Sequence, residues 1–529
     1  MSSSSAPSAL RQKQGRELLA QGPWLALTAL VILAVILPIV PLQSQALADG
    51  GAGLKELLAM PGLGSVLRNT IYLGLGAMVI GMALGTTLAL SVYAMPPRLQ
   101  ALLAFTPVLP LVIPSVAHVV GFVFLFSPEN GYGNLLLRQI PIFASATTGP
   151  VNVYTPLWII IYTGLHLSAF VYLFVYAGLN NLGADYGQAA RVSGAGPIRV
   201  LFTVTLPMLR PVFIYSSLVV LLLALGQFTG PLILGRREGL DVLTTRMFVI
   251  TTDYPINYGL AASLGTPLLI VAFFIIFIQR RMVGDQRRFV GRGAASRDRA
   301  PVRKATRIVA TTYVLLYVIL SAGLPLLALT YVSLSPFWSG QLSLENLSIA
   351  NFEDTFDDST ILDAISTSLW VTVLGVVIVL PLGFLIALML TNRDRIWRPL
   401  SVLIDIAAAL PLAVPAALVG FGFLFAFSIP GIDLYGTRTA LVIAYVTIML
   451  PYAVRYQLTT LIALGKQTVE ASRVCGGGPL RTFWRIMLPL IRGGVAASAA
   501  IMFVLLIHEF GVSLLLRSPD STVMSVLLF

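Results

Sequence analysis

One stretch of this chain occurs twice, as QAARVSGAGPIRVLFTVTLPMLRP from Gln188 to Pro211 and as EASRVCGGGPLRTFWRIMLPLIRG from Glu470 to Gly493. At a constant offset of 282, the copies share ten of 24 positions: Ala189/Ala471, Arg191/Arg473, Val192/Val474, Gly194/Gly476, Gly196/Gly478, Pro197/Pro479, Arg199/Arg481, Leu206/Leu488, Pro207/Pro489 and Arg210/Arg492. Each copy is a polar, glycine-containing island between very apolar runs. The chain therefore reads as a duplicated membrane unit, with one loop per copy outside the lipid.

Composition sets the class. Of 529 residues, 57% are hydrophobic and 11% charged, and the mean hydropathy is +0.88, which excludes a water-soluble enzyme and implies a polytopic all-α membrane protein. The net charge of +12 sits mostly in a few loops between apolar runs, the distribution of a positive-inside bias rather than of a nucleic-acid surface. The single cysteine, Cys475, excludes an intrachain disulfide and a multi-cysteine metal site.

Runs long enough to cross the hydrocarbon as helices cover 24–42, 70–93, 102–126, 157–179, 212–234 and 261–278, then 308–329, 369–390, 401–427, 440–461 and 495–516. This divides the chain into an N-terminal tail (1–22), a six-span domain (23–278), a basic linker (279–307) and a five-span domain (308–529). Arg11, Lys13, Arg16, Arg98, Arg191, Arg199, Arg210, Arg393, Arg395 and Arg398 all fall on one side if spans alternate, and the linker adds ten Lys/Arg. The loop 333–368 has six Asp/Glu and no Lys/Arg. The N-terminus and both repeated loops are thus expected in the cytoplasm.

Six spans separate equivalent points, so the repeats are parallel, related by a pseudo-two-fold axis along the membrane normal. LPLVIP at 109–114 answers LPLAVP at 410–415 at an offset of 301, so the first half has 19 more residues between these marks and the loops, most simply in the outer loop 128–156. Past the loops, GQFTGPLILG from Gly226 meets HEFGVSLLLR from His508 at 282, and 241–248 meets 522–529 at 281. The sixth span has no counterpart, so the sequence is expected to stop before a twelfth span, through truncation or divergence.

The two loops resemble the EAA loop of the membrane permeases of binding-protein-dependent ABC importers: Glu-Ala-Ala, three residues, Gly, nine residues, Ile, one residue, Leu-Pro. The second copy supplies Glu470, Ala471, Ser472, Gly476, Ile486, Leu488 and Pro489; the first supplies Gln188, Ala189, Ala190, Gly194, Val204, Leu206 and Pro207. Gln188, Val204 and Ser472 depart from the pattern. Small residues let a partner approach closely, the glycine turns the chain, Arg191 and Arg473 can meet acidic groups on a partner, and Leu-Pro opens the next span.

The resemblance covers nearly the whole chain and is nearest to fused permeases of the ferric-iron type, through GQFTGPLILGRREGLDVLTTRMF (226–248) and HEFGVSLLLRSPD (508–520). It implies a bacterial inner-membrane protein that works with two ABC ATPase subunits and a solute-binding protein. ATP and Mg would be used by the ATPase and no cofactor held by this chain. The solute implied is ferric iron, with thiamine, polyamine or phosphonate as alternatives. The unequal loops suggest that the second, with its Glu470 carboxylate, carries more of the coupling.

Gln227 and Glu509 occupy equivalent places in spans five and eleven, with His508 beside the acid. They are candidates for the translocation path, and interhelical hydrogen-bond glue is the competing reading. His118, His166 and His508 all fall in spans but lack any metal-ligand spacing, so no metal site is expected. The prolines of the LPLVIP and LPLAVP motifs predict kinks in spans three and nine. There is no phosphate loop and no nucleophile, base and orienter set, so this chain is not expected to be an enzyme. The rival is a secondary transporter with parallel repeats, which would carry several membrane-embedded charges; here the acids within spans are Glu509 and Asp405.

Overall fold

The computed structural model describes residues 21–182, 184–283, 304–345, 347–393 and 396–529, and among them every regular element is helical. Most of the expected tail and linker, and Arg395, lie outside the described residues.

The first half runs α1 (Gly22–Ala59), α2 (Leu63–Tyr93), α3 (Pro97–Val112), α4 (Ser115–Phe126), α5 (Pro156–Asn181), α6 (Ala184–Val192), α7 (Pro197–Met208), α8 (Arg210–Leu225), α9 (Leu243–Thr252) and α10 (Tyr258–Val283). The second half runs α11 (Lys304–Leu334), α12 (Ser359–Thr391), α13 (Arg398–Leu412), α14 (Ala416–Phe427), α15 (Arg438–Leu464), α16 (Lys466–Val474), α17 (Pro479–Ile507) and α18 (Gly511–Leu516). Eight helices are long and apolar enough to cross a membrane, and eleven spans result if the bent pairs α3–α4, α7–α8 and α13–α14 each count once. These coincide one for one with the eleven apolar runs of the sequence.

Spans three and nine are broken rather than kinked. α3 and α4 meet at 89°, and α13 and α14 at 103°. The cause is the same in both: the residue before a proline is driven out of the helical region, so Ile113–Pro114 and Val414–Pro415 each form a two-residue extended joint. Pro114 has no N–H to give to the Pro110 carbonyl four residues back, so the helical hydrogen-bond ladder is interrupted at this joint.

Small residues set the closest helix contacts. Along α2, Ala77, Gly81, Gly85 and Ala89 repeat every four residues and form one flat ridge. α5 lies against it: a Cβ on Gly85 would reach the Ser168 carbonyl and come within 2.5 Å of the Val171 Cβ. In α12, Gly383 plays the same part against Ala453 of α15.

The packing forms two compact units: residues 1–42, 366–507 and 512–522 in one, and 43–365, 508–511 and 523–529 in the other. Their membership crosses the repeat boundary, because each takes in the other half's first span. Within the second unit, Gly121 of α4 packs on the Pro325 carbonyl of α11, where an added Cβ would stand 2.8 Å from the oxygen. Within the first unit, the equivalent Gly422 of α14 packs on the Pro38 carbonyl of α1. The exchange is therefore made twice by equivalent glycine–proline contacts. Asp405 on α13 is clamped by Arg393 (3.0 Å) and Arg455 (3.5 Å), which neutralises one of the two acids found within spans.

Valine at Gly121 or Gly422 should cost about 1–3 kcal/mol through overpacking, read as a lower unfolding temperature of the detergent-solubilised protein. Gly64→Ala on α2, where a Cβ meets nothing within 4 Å, should stay within about 0.5 kcal/mol of the parent.

Candidate functional site: two coupling loops and two helix breaks

In both loops the local sequence dictates the same turn. α6 and α16 are nine-residue helices that end in a Schellman motif. In the first copy, Gly194 N–H bonds the Arg191 carbonyl (2.9 Å) and Ala195 N–H the Ala190 carbonyl (3.0 Å). In the second, Gly476 bonds Arg473 (3.0 Å) and Gly477 bonds Ser472 (2.8 Å). This geometry requires a left-handed residue, and Gly194 and Gly476 have φ of 82° and 77°. Neither has any atom within 4 Å of a would-be Cβ, so backbone conformation, not space, demands glycine. Gly196 and Gly478 then start the next helix, with Pro197 and Pro479 at its first position. Five residues of wider π turn follow in each copy, 201–205 and 483–487, leading to Leu206-Pro207 and Leu488-Pro489.

The loops present their faces alike. Gln188, Ala189, Arg191, Glu470, Ala471 and Arg473 are exposed, and Ala190 is half-buried. Three apolar pairs that sequence reasoning did not single out are exposed to nearly the same extent: Val192/Val474 at 89% and 88%, Ile198/Leu480 at 74% and 73%, and Phe202/Trp484 at 63% and 62%. Val192 and Val474 close the two short helices, and Ile198/Phe202 and Leu480/Trp484 stand in the first turns of α7 and α17. The signal in the sequence was that positions 192, 198 and 202 and their counterparts stay apolar in a loop that has no need of them.

The copies differ beneath that surface. Ser472, the departure from Ala190, is buried and its hydroxyl meets that of Thr482 at 2.8 Å, tying α16 to the start of α17. Beside the second loop lies a cavity of about 830 Å³, walled by apolar residues such as Phe384, Leu461 and Ile491, with Glu470 and Arg473 among its lining. Gln457, whose buried Oε1 has no partner, lines it as well. At the corresponding positions the first copy has Val175, Leu179 and Leu209, all buried in a hydrophobic cluster.

The path candidates lie at breaks in the membrane helices, not within them. The apolar runs 212–234 and 495–516 read as single spans, but α8 ends at Leu225 and α17 at Ile507. Gly226-Gln227-Phe228 and His508-Glu509-Phe510 leave the helix at equivalent positions. A broken helix releases backbone carbonyls that lipid cannot satisfy. Here a hydroxyl from the following segment catches each one: Thr244 Oγ1 donates to the Gln227 carbonyl and Ser525 Oγ to the Glu509 carbonyl, both at 2.6 Å. These two donors correspond at the offset of 281 found in the sequence, so the break is a built and duplicated feature.

Around the first break, Thr163 Oγ1 donates to Gln227 Oε1 (2.6 Å), which leaves the buried Gln227 Nε2 without a partner. His508 is nearly buried, and its Nδ1 is likewise unpartnered. His118 is fully buried, with Nε2 2.6 Å from the Ser321 carbonyl and its ring 6.3 Å from that of His166. Among the described residues no three His, Cys, Asp or Glu groups are placed to hold a metal ion.

This constellation belongs to a known class. The family model for the binding-protein-dependent transport system inner membrane component matches residues 77–288 and 379–526, and the chain belongs to that family. Among its relatives, the ferric transport system permease protein FbpB of Actinobacillus pleuropneumoniae is 22% identical over 97% of this chain and 74% of its own length. The Fe(3+)-transport system permease protein FbpB 2 of Haemophilus influenzae is 26% identical over 95% and 91%. The spermidine/putrescine transport system permease protein PotB of Haemophilus influenzae is 27% identical over 40% of this chain and 73% of its own length. The chain is thus a multi-pass membrane component of a binding-protein-dependent transport system.

Alanine at Gly194 or Gly476 should cost about 1 kcal/mol or more through the left-handed backbone and should reorient the loop behind it. Asparagine at the same sites should be tolerated better, and limited proteolysis of the loops in proteoliposomes distinguishes the two.

Proposed function

We propose that this chain forms the translocation path of an ATP-driven importer for ferric iron, with both membrane domains fused and each coupling loop docked in a groove of one ABC ATPase subunit. The observation that carries the reading is the matched presentation of Val192, Ile198 and Phe202 in one loop and Val474, Leu480 and Trp484 in the other. Two equal surfaces call for two equal partners. Arg191 and Arg473, exposed at the ends of their helices, would add charge-assisted contacts to acidic groups of the ATPase.

Ferric iron as cargo is supported by the relatives that align along nearly the full chain, whereas the polyamine permease aligns over less than half of it. The solute-binding protein would deliver the ion on the side of the acidic loop 333–368. The N-terminus, both coupling loops and the basic linker would lie in the cytoplasm. ATP binding would draw the two ATPase subunits together, and the loops with them, opening the path toward the loaded binding protein; hydrolysis would reverse the motion. Gln227, His508 and Glu509, at or beside the helix breaks, would line that path. ATP and Mg belong to the partner's chemistry and no cofactor to this chain's. The Asp405 clamp weakens the secondary-transport alternative, since it removes one of the acids that ion coupling would need.

Val192→Asp and Val474→Asp each replace an apolar contact whose burial is worth about 1.5 kcal/mol, so each should weaken ATPase recruitment by about tenfold or more. Co-purification of the ATPase from membranes reads this directly, and unchanged recruitment in the double variant would remove the loops as docking surfaces. Because the second loop alone keeps a carboxylate, Glu470→Gln should lower coupled ATP hydrolysis more than alanine at Gln188 does.

A further inference from the structure

We propose that Phe228 and Phe510 form the closed constriction of the path, an aromatic lock to which each repeat contributes one ring; the proposal rests on the importer reading above. These residues follow Gln227 and Glu509 in the two helix breaks and correspond at the offset of 282. Their rings stack on each other, with centroids 6.0 Å apart and planes at 27°. Counterparts in two repeats related by the pseudo-two-fold that the duplication predicts would touch only where that axis passes. For parallel repeats the axis runs along the membrane normal, the direction in which a solute must travel.

The surroundings repeat the relation. Phe248 packs edge-on against Phe228 at 5.8 Å and 74°, and its counterpart Phe529 packs on Phe510 at 5.3 Å and 63°. Phe228 and Phe510 are both buried. A pair of apolar rings has nothing to replace the hydration shell of an ion, so a passage narrowed to this contact is closed to ions and water. Directly beside it stand polar groups able to receive a hydrated solute once the rings part, including the unpartnered Nε2 of Gln227 and Nδ1 of His508.

The backbone allows the rings to part. Residues 227–228 and 509–510 lie outside any helix, and their first carbonyls are held by the single hydroxyls of Thr244 and Ser525. A small rotation at these joints moves each ring without unwinding the helix before it. Among the described residues, the other aromatic contacts, such as Phe122 with Trp158 or Phe423 with Phe427, join residues that are not repeat counterparts. They are ordinary packing and lack this placement.

The test uses the full chain in proteoliposomes. Without ATPase or binding protein, the unsubstituted chain should hold a potassium gradient, and Phe228→Ala/Phe510→Ala should leak at least about tenfold faster. In a second arm, Phe228→Cys/Phe510→Cys is oxidised in the complete complex with ATPase and binding protein, with the unsubstituted chain and its Cys475 as the oxidation control. Locking the pair should abolish ATP-driven iron uptake, and reductant should restore it. A double alanine variant as tight as the parent, or a cross-linked pair that transports at the full rate, would overturn the lock. If the unsubstituted complex shows no ATP-driven uptake, the importer reading fails, and the potassium arm, which needs neither partner, still decides the lock.

Discussion

Every backbone polar group inside a bilayer has to find its partner within the protein, and this constraint governs where the chain can stop being helical. At two of the breaks in the described membrane helices a side-chain hydroxyl is that partner. The carbonyls of Gln227 and Glu509 are met by the hydroxyls of Thr244 and Ser525. The breaks at Gln227 and Glu509 occur in both repeats with matched donors, which separates a built interruption from an accident of sequence. They also put polar side chains and non-helical backbone inside otherwise apolar runs, where a purely structural helix would carry neither.

The same duplication shapes the two loops. A Schellman turn ends each short helix, a glycine–proline step starts the next, and a π turn of equal length follows. Rigid, repeated geometry of this kind holds three apolar side chains out in each loop at nearly equal exposure. Beneath it the copies have diverged, through the Ser472–Thr482 contact and the cavity lined by Glu470 and Gln457. The loops thus present similar surfaces on unequal foundations.

Much of this was legible in the residues. The eleven apolar runs matched the helices, the paired loops showed their turn through Gly194 and Gly476, and the prolines at 114 and 415 marked the joints of spans three and nine. What escaped were features without a local signal. Hydropathy continues through Phe228 and Pro231 into Leu232, so the end of α8 at Leu225 is invisible to a window that sees only side-chain polarity. The exchange of first spans depends on Gly121 meeting Pro325 and Gly422 meeting Pro38, contacts hundreds of residues apart in sequence. Asp405 looked like a membrane acid until Arg393 and Arg455 were found closing on it from elsewhere in the fold.

In the proposed function the two loops convert ATP hydrolysis on one side of the membrane into passage of a solute through this chain. Iron uptake into proteoliposomes holding the chain and its ATPase tests it most directly, with ATP enclosed and loaded binding protein added outside. The account predicts uptake that requires both ATP and the binding protein and is indifferent to ion gradients. Uptake driven by a proton or sodium gradient with no ATP present would contradict it.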